Sequence, residues 1–188
     1  MLLTSFKRRV SMLAICGLLP AALVVGQTVT AKQLEMEEEG IQLINQLEDV
    51  ARDVHYNADW LNAHTRSAQV SKWTHAHHLT EIKSLVNDGL QPALQRLTEI
   101  QQELPAWHQD TIDQLLASAK ALAADTNSAI LNHNETTSLP MALNEEYKEL
   151  ITRINGHAET LVKISDAAGD YAEAHRQAVE AGLNVPKH

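Results

Sequence analysis

Ile44–Leu61 reads INQLEDVARDVHYNADWL. Ile44, Leu47, Ala51, Val54, Ala58 and Leu61 alternate at spacings of three and four, the seam of an amphipathic helix rather than the two-residue period of a strand. Ile41, Leu43 and Val50 widen the stripe. Glu35, Glu37, Glu38 and Glu39 crowd the start, where negative charge meets the positive end of the helix dipole. The pattern predicts a helix over 33–65. TRSAQVS then breaks it, and Ser71 is placed to cap the next helix.

The same period continues outward. A second helix is predicted over 72–103, with His75, Leu79, Ile82, Val86, Leu90, Ala93, Leu97 and Ile100 as its seam. Pro92 removes a backbone donor and crowds the preceding turn, so the helix should kink near Asn87–Gly89 or break in two. ELPAW is a turn with Pro105 as a first helical residue. The third helix, 105–132, carries Ile112, Leu115, Ala119, Leu122, Thr126 and Ala129 or Ile130. Its alanines let a neighbour approach closely. A loop, HNETTSLP, leads to a fourth helix over 140–181. The fourth seam is Leu143, Tyr147, Leu150, Ile154, His157 or Ala158, Leu161, Ile164, Ala168, Tyr171, His175 and Val179. Gly182 and Pro186 would stop it. Gly156 and Gly169 lie inside it at a cost of about 1 kcal/mol each relative to Ala, as expected of close packing against a bulky neighbour.

No stretch combines strand alternation with β-branched or aromatic enrichment. The fold class expected is all-α: an up-down-up-down bundle of four long helices, each about 45–50 Å at 1.5 Å per residue. It forms a single domain, 32–188, after an N-terminal signal peptide.

That leader is read from residues 1–31. Lys7, Arg8 and Arg9 form a positive start, VSMLAICGLLPAALVV an apolar middle, and Val29 and Ala31 the small residues before a cut. A retained membrane anchor is the alternative. The run is shorter than the roughly 20 apolar residues of a spanning helix, and Pro20 interrupts it. Cys16 in LAIC lacks the small preceding residue of a lipid-modified cysteine, since Ile15 stands there. It is the only cysteine, so the mature chain would hold no disulfide, thiolate nucleophile or Cys-ligated metal. The whole chain has 15 Lys and Arg against 24 acids. Removing the three basic residues of the leader leaves 12 against 24, a formal −12. Such a charge repels nucleic acid and anionic lipid and suits a cation or a basic partner.

KWTHAHHLTEI, Lys72–Ile82, places His75, His77 and His78 within four positions. Antiparallel order would bring them together with His64 and His133, near Glu135, Glu145 and Glu146. His108 and His175 fall at the opposite end, and His55 and His157 partway along. His75 and His78 share a helix face, whereas His77 shares one with Glu81. A metal site would therefore join His75 and His78 to His64 or His133, and Zn, Cu or Ni would accept such ligands. His-Glu-x-x-His and paired Glu-x-x-His motifs are absent, so the leading expectation is a solvated helix end with no cofactor. A pH-sensitive surface is a further option, since imidazoles titrate near pH 6–7. Met36 and His175 are placed to ligate a haem, though Glu35 and Glu37–Glu39 line such a site poorly. Trp60, Trp73 and Trp107 lie near helix ends and are expected to plug the bundle. No Ser/His/Asp context, phosphate loop or facing acid pair points to catalysis. Asn134–Thr136, NET, fits a glycosylation acceptor by its three-residue pattern alone.

SKWTHAHHLTEIKSLVNDGLQPALQRL, PAWHQDTIDQLL and LAADTNSAILNHNE together resemble a group of uncharacterised exported bacterial helical proteins. The matching positions are Trp73, His77, Leu79, Ile82, Lys83, Val86 and Asn87, then Pro105, Trp107 and Tyr147. The likeness covers most of the mature chain. It implies an exported bundle with no known activity, and a Trp–His plug rather than a three-histidine metal site. The function expected is a non-enzymatic, periplasmic or secreted bundle that acts on a protein or envelope partner through its acidic faces. The alternative is a metal- or haem-binding bundle.

Overall fold

The computed structural model describes residues 31–136 and 140–181. The leader segment and the Gly182 and Pro186 stop lie outside them, as does the side chain of Val179. Every regular element among the described residues is helical. They are α1 (Ala31–His64), α2 (Lys72–Ser84), α3 (Gln91–Ile100), α4 (Ala106–Glu135) and α5 (Glu145–Glu180). A π-helical segment, Leu85–Leu90, joins α2 to α3 without a break, so these two form one rod and the described residues form four. Short 3₁₀ turns cover Gln101–Glu103 and Met141–Leu143.

The π segment is how the chain accommodates Pro92. Its wider turn lets the helix pass a residue that has no N–H to give. Backbone angles stay helical at both ends of the segment, and the rod is neither capped nor split there. Gly89 lies in this segment for a second reason. A Cβ there would come within 2.8 and 3.0 Å of the Val50 methyls on α1. The absent side chain lets the two rods close on each other.

Burial follows the predicted stripes through three rods. All six seam residues of α1 are buried, as are all eight of the second rod and Ile112, Leu115, Ala119, Leu122, Thr126 and Ala129 of α4. At about 25 cal/mol per Å² of apolar surface, these leucines, isoleucines and valines supply the main drive for assembly. α5 packs most extensively on α1 and α4. Its seam departs from expectation. Tyr147, Leu150, Ile154, Ala158, Leu161 and Ala168 are buried, but Leu143 and Tyr171 are exposed, and Ile164 and His175 lie half-buried. Ile151, Ser165 and Ala172 are buried instead. The buried face keeps a regular four-three alternation, and its C-terminal half consists of small side chains.

The start of α5 also differs. Asn144 accepts from the Tyr147 amide at 3.0 Å and donates to Asn132 at 2.8 Å and to Thr136 at 2.9 Å. It therefore caps α5 and binds it to the end of α4, which delays the helix from 140 to Glu145. Ser71 caps α2 as expected, its hydroxyl accepting from the Thr74 amide. Pro105 stands one residue before α4. Exposed ion pairs cross between rods: Arg96 forks onto Glu39, Arg153 onto Asp125, and Arg52 reaches Asp166. Such pairs fix register more than they stabilise.

Candidate functional site

Two clusters of histidine and aromatic rings occupy opposite ends of the rods. The first gathers the end of α1, the start of α2, the end of α4 and the start of α5. His75 is fully buried, and its Nδ1 lies 3.2 Å from the Tyr147 hydroxyl, which is equally buried. Its Nε2 is buried with no hydrogen-bond partner. Burial pushes the His75 imidazole down to about 4, helped by the nearby imidazoles of His64, His133 and His78. The same burial pushes the Tyr147 hydroxyl up.

Around this pair the rings form a chain. The His64 ring centre is 6.1 Å from that of His75 and 5.7 Å from that of His78. Trp60 lies parallel to His78 at 6.5 Å and meets Tyr56 edge-on at 6.3 Å. His78 neighbours His77 at 5.4 Å, and His77 stacks on Trp73 at 5.9 Å. Tyr56, Trp60, His78, His77 and Trp73 thus make a continuous strip across two helices. Tyr56 is 62 % exposed, Trp60 44 % and Trp73 76 %. Trp60 and Trp73 are not plugs; His75, Tyr147 and His133 take that place. The i, i+4 spacing of Tyr56–Trp60 and Trp73–His77 puts each pair on one helix face, but it does not reveal that the face looks outward.

The hydrogen bonds settle which nitrogens are engaged. Asn57 donates its Nδ2–H to the Asp53 carbonyl at 2.9 Å, so its Oδ1 is the atom facing His78 Nδ1 at 2.9 Å. His78 must then donate from Nδ1, and its Nε2 carries the lone pair. Burial and the neighbouring imidazoles of His64 and His77 lower the pKa of His78. His133 is committed elsewhere. Its Nε2 donates to the Lys72 carbonyl at 3.0 Å, tying the end of α4 to the start of α2. Lys72 in turn donates to the Thr136 carbonyl at 2.7 Å. Of the four predicted metal candidates, the structure sets His64, His75 and His78 side by side and gives His133 a structural bond. As the side chains stand, no three His, Asp or Glu among the described residues surround a common ion position.

The second cluster lies where α4 begins. His108 is fully buried, and neither ring nitrogen has a hydrogen-bond partner. Burial pushes it down to about 4, with His175 adding repulsion. Trp107 packs over it with ring centres 3.5 Å apart, and the indole N–H is also buried unpaired. Tyr171 lies 4.7 Å from Trp107 and 6.2 Å from His175. Trp107, Tyr171, Ile164 and Ala168 line an open groove of about 390 Å³ between α4 and α5, with Lys163 at its edge. Met36 packs half-buried against the core. His175 is thus joined to Tyr171 and, through the field at His108, to this aromatic row.

His55 and His157 sit partway along, as expected. His55 Nδ1 meets Asn155 at 2.6 Å, and His157 lies 3.3 Å from Asp125. No family model, curated protein or solved structure matches the chain.

Proposed function

We propose that this chain is an exported, non-enzymatic four-helix bundle, up-down-up-down in order, that works by binding a basic protein of the cell envelope. The observation that carries this is the strip of Tyr56, Trp60, His78, His77 and Trp73, exposed at every member except the half-buried His78. Exposed large aromatics in a contiguous row are uncommon on a surface that meets only water, and they supply area and polar tips for an interface. The acidic balance steers a basic partner toward the chain.

Other features support the same reading. The leader of residues 1–31 carries the features of export. Among the described residues no helix is long and apolar enough to cross a membrane. The pairing of His64 with His75, of His133 with Lys72, and of Gly40 with Leu104 fits alternating rod directions. Every shifted carboxylate among the described residues is held down: Glu39 by Arg96, Asp125 by Arg153, Glu159 by Lys163, and Glu173 by Gln177 and Arg176. Acid–base catalysis asks for carboxylates pushed upward. The mature chain would carry no transmembrane segment and bind no nucleic acid.

A photo-crosslinking residue in place of Trp73, and another at Asp110 near the opposite end, tests the reading in intact cells. A discrete adduct with one basic exported protein is expected from position 73 and not from 110. No adduct from 73, or equal adducts from both, overturns it. A second reading, a metal-binding bundle, is favoured by the partnerless buried Nε2 of His75 beside the other imidazoles. Haem held by Met36 and His175 has no comparable observation behind it.

A further inference from the structure

We propose that His64, His75 and His78 form a site for one divalent transition-metal ion of the zinc, copper or nickel class. This rests on the metal-binding reading and goes beyond the protein-binding role, which stands or falls separately.

The backbone already gathers the ligands. His75 and His78 stand one turn apart on α2, and His64 is the last residue of α1 facing them. Two imidazoles that bind one ion through Zn–N bonds of about 2.0–2.1 Å have ring centres roughly 5–6 Å apart. His64 stands 6.1 Å from His75 and 5.7 Å from His78, at about the spacing of co-ligands. The nitrogens do not yet converge. His64, half-buried at a helix end, can turn its ring about two side-chain torsions without moving the helix.

The hydrogen bonds prepare the same atoms. Asn57 fixes His78 as the Nδ1–H form and leaves its Nε2 lone pair free. Where His75 donates its Nδ1–H to the Tyr147 hydroxyl oxygen, its buried Nε2 carries a lone pair with nothing to bind. Metal-binding histidines are held by a partner on the second nitrogen in this way. A buried nitrogen without a partner is costly, and an ion would satisfy it. His133 is excluded by its bond to the Lys72 carbonyl, and His77 by its place on the exposed face it shares with Trp73 and Glu81 rather than the face of His75 and His78. Water completes the coordination in the open direction. Imidazole donors suit borderline ions and not Ca²⁺ or Mg²⁺.

The full chain, purified without a His tag and stripped with chelator, is titrated with Zn²⁺ by calorimetry, and bound metal is counted after dialysis. One ion per chain is expected. His64→Gln and His78→Gln should each weaken binding about tenfold or more, while His77→Gln and His133→Gln leave it nearly unchanged. These variants avoid the fully buried His75, whose loss would disturb folding. Cu²⁺ should quench tryptophan emission, and Trp60→Phe should remove more of that quenching than Trp107→Phe. Failure to bind one ion, or equal losses from His77→Gln and His64→Gln, overturns the site. The crosslinking at position 73 is repeated in a cell-envelope extract stripped with chelator. Adducts without metal uptake sink this site alone; metal uptake without adducts sinks the partner and keeps the site.

Discussion

The two ends of the helical rods use the same residue for opposite purposes. His75 and His108 are both fully buried, and burial holds both imidazoles down to about 4. His75 is wired: one nitrogen meets Tyr147, and the ring meets His64, which borders a strip of aromatics that reaches solvent. His108 is sealed: both nitrogens lack partners, and Trp107 lies over the ring. A buried polar group with one bond and one free atom is suited to taking up a ligand. One with no bond at all is simply a costly core side chain. The difference therefore separates a candidate site from a packing solution, although composition and burial are alike.

The largest effect this comparison predicts is loss of stability in mild acid. A histidine titrates near pH 6.5 when unfolded, and here two titrate near 4 when folded. The unfolded chain binds more protons between those values, so stability is fully present above about pH 6.5 and drains as pH falls toward 4. The groups facing His75 are His64, His78 and His133, and His175 faces His108. Each buried ring should contribute on the order of 2–3 kcal/mol to the loss. Urea midpoints at pH 7.5 and 4.5 measure it. A flat profile would mean that neither imidazole is buried neutral.

Replacing each ring by a hydrocarbon splits the ends apart. His75→Leu strands the buried Tyr147 hydroxyl and should cost about 1–3 kcal/mol at pH 7.5. His108→Leu removes two unpaired nitrogens and should be neutral or stabilising at the same pH. Each substitution should remove about half of the acid sensitivity. Equal costs at pH 7.5, read from the same urea curves, would erase the distinction between wired and sealed.

How far the sequence carries this picture follows from what kind of signal each feature has. Periodicity is local, so the seam Ile44–Leu61 and its counterparts in the second rod and α4 are legible in full. On α5 two adjacent stripes compete. Ile164 and Tyr171 are the greasier choice, yet the rod buries Ser165 and Ala172 and turns the larger pair toward the groove beside Trp107. Hydrophobicity ranks the candidates, but a neighbouring helix selects among them. Gly89 has no local explanation either, because its reason is Val50 on another rod. The grouping of histidines by end follows from helix lengths. Their separate roles do not, since Asn57 selects the tautomer of His78 and a backbone carbonyl takes His133. Exposure of Trp60 and Trp73 reverses the usual behaviour of indoles near helix ends, and no property of the two residues themselves announces it.

The smallest expected effect tests the hydrogen bond that distinguishes the ends. Tyr147→Phe keeps the ring that fills the core and removes only the hydroxyl. His75 then has two unpaired nitrogens, as His108 does, so the substitution converts one end into an imitation of the other. It should cost about 1 kcal/mol in urea unfolding, the usual net value of one buried hydrogen bond. Combining it with His75→Leu removes both partners at once. The double variant should lie closer to wild type than the two separate losses add up to, with a coupling of about 1 kcal/mol. Simple additivity would show that the 3.2 Å contact contributes nothing, and that His75 is as unpartnered as His108. The case for a prepared Nε2 at His75 would then lose its anchor, leaving His64 and His78 as the only rings that could share an ion.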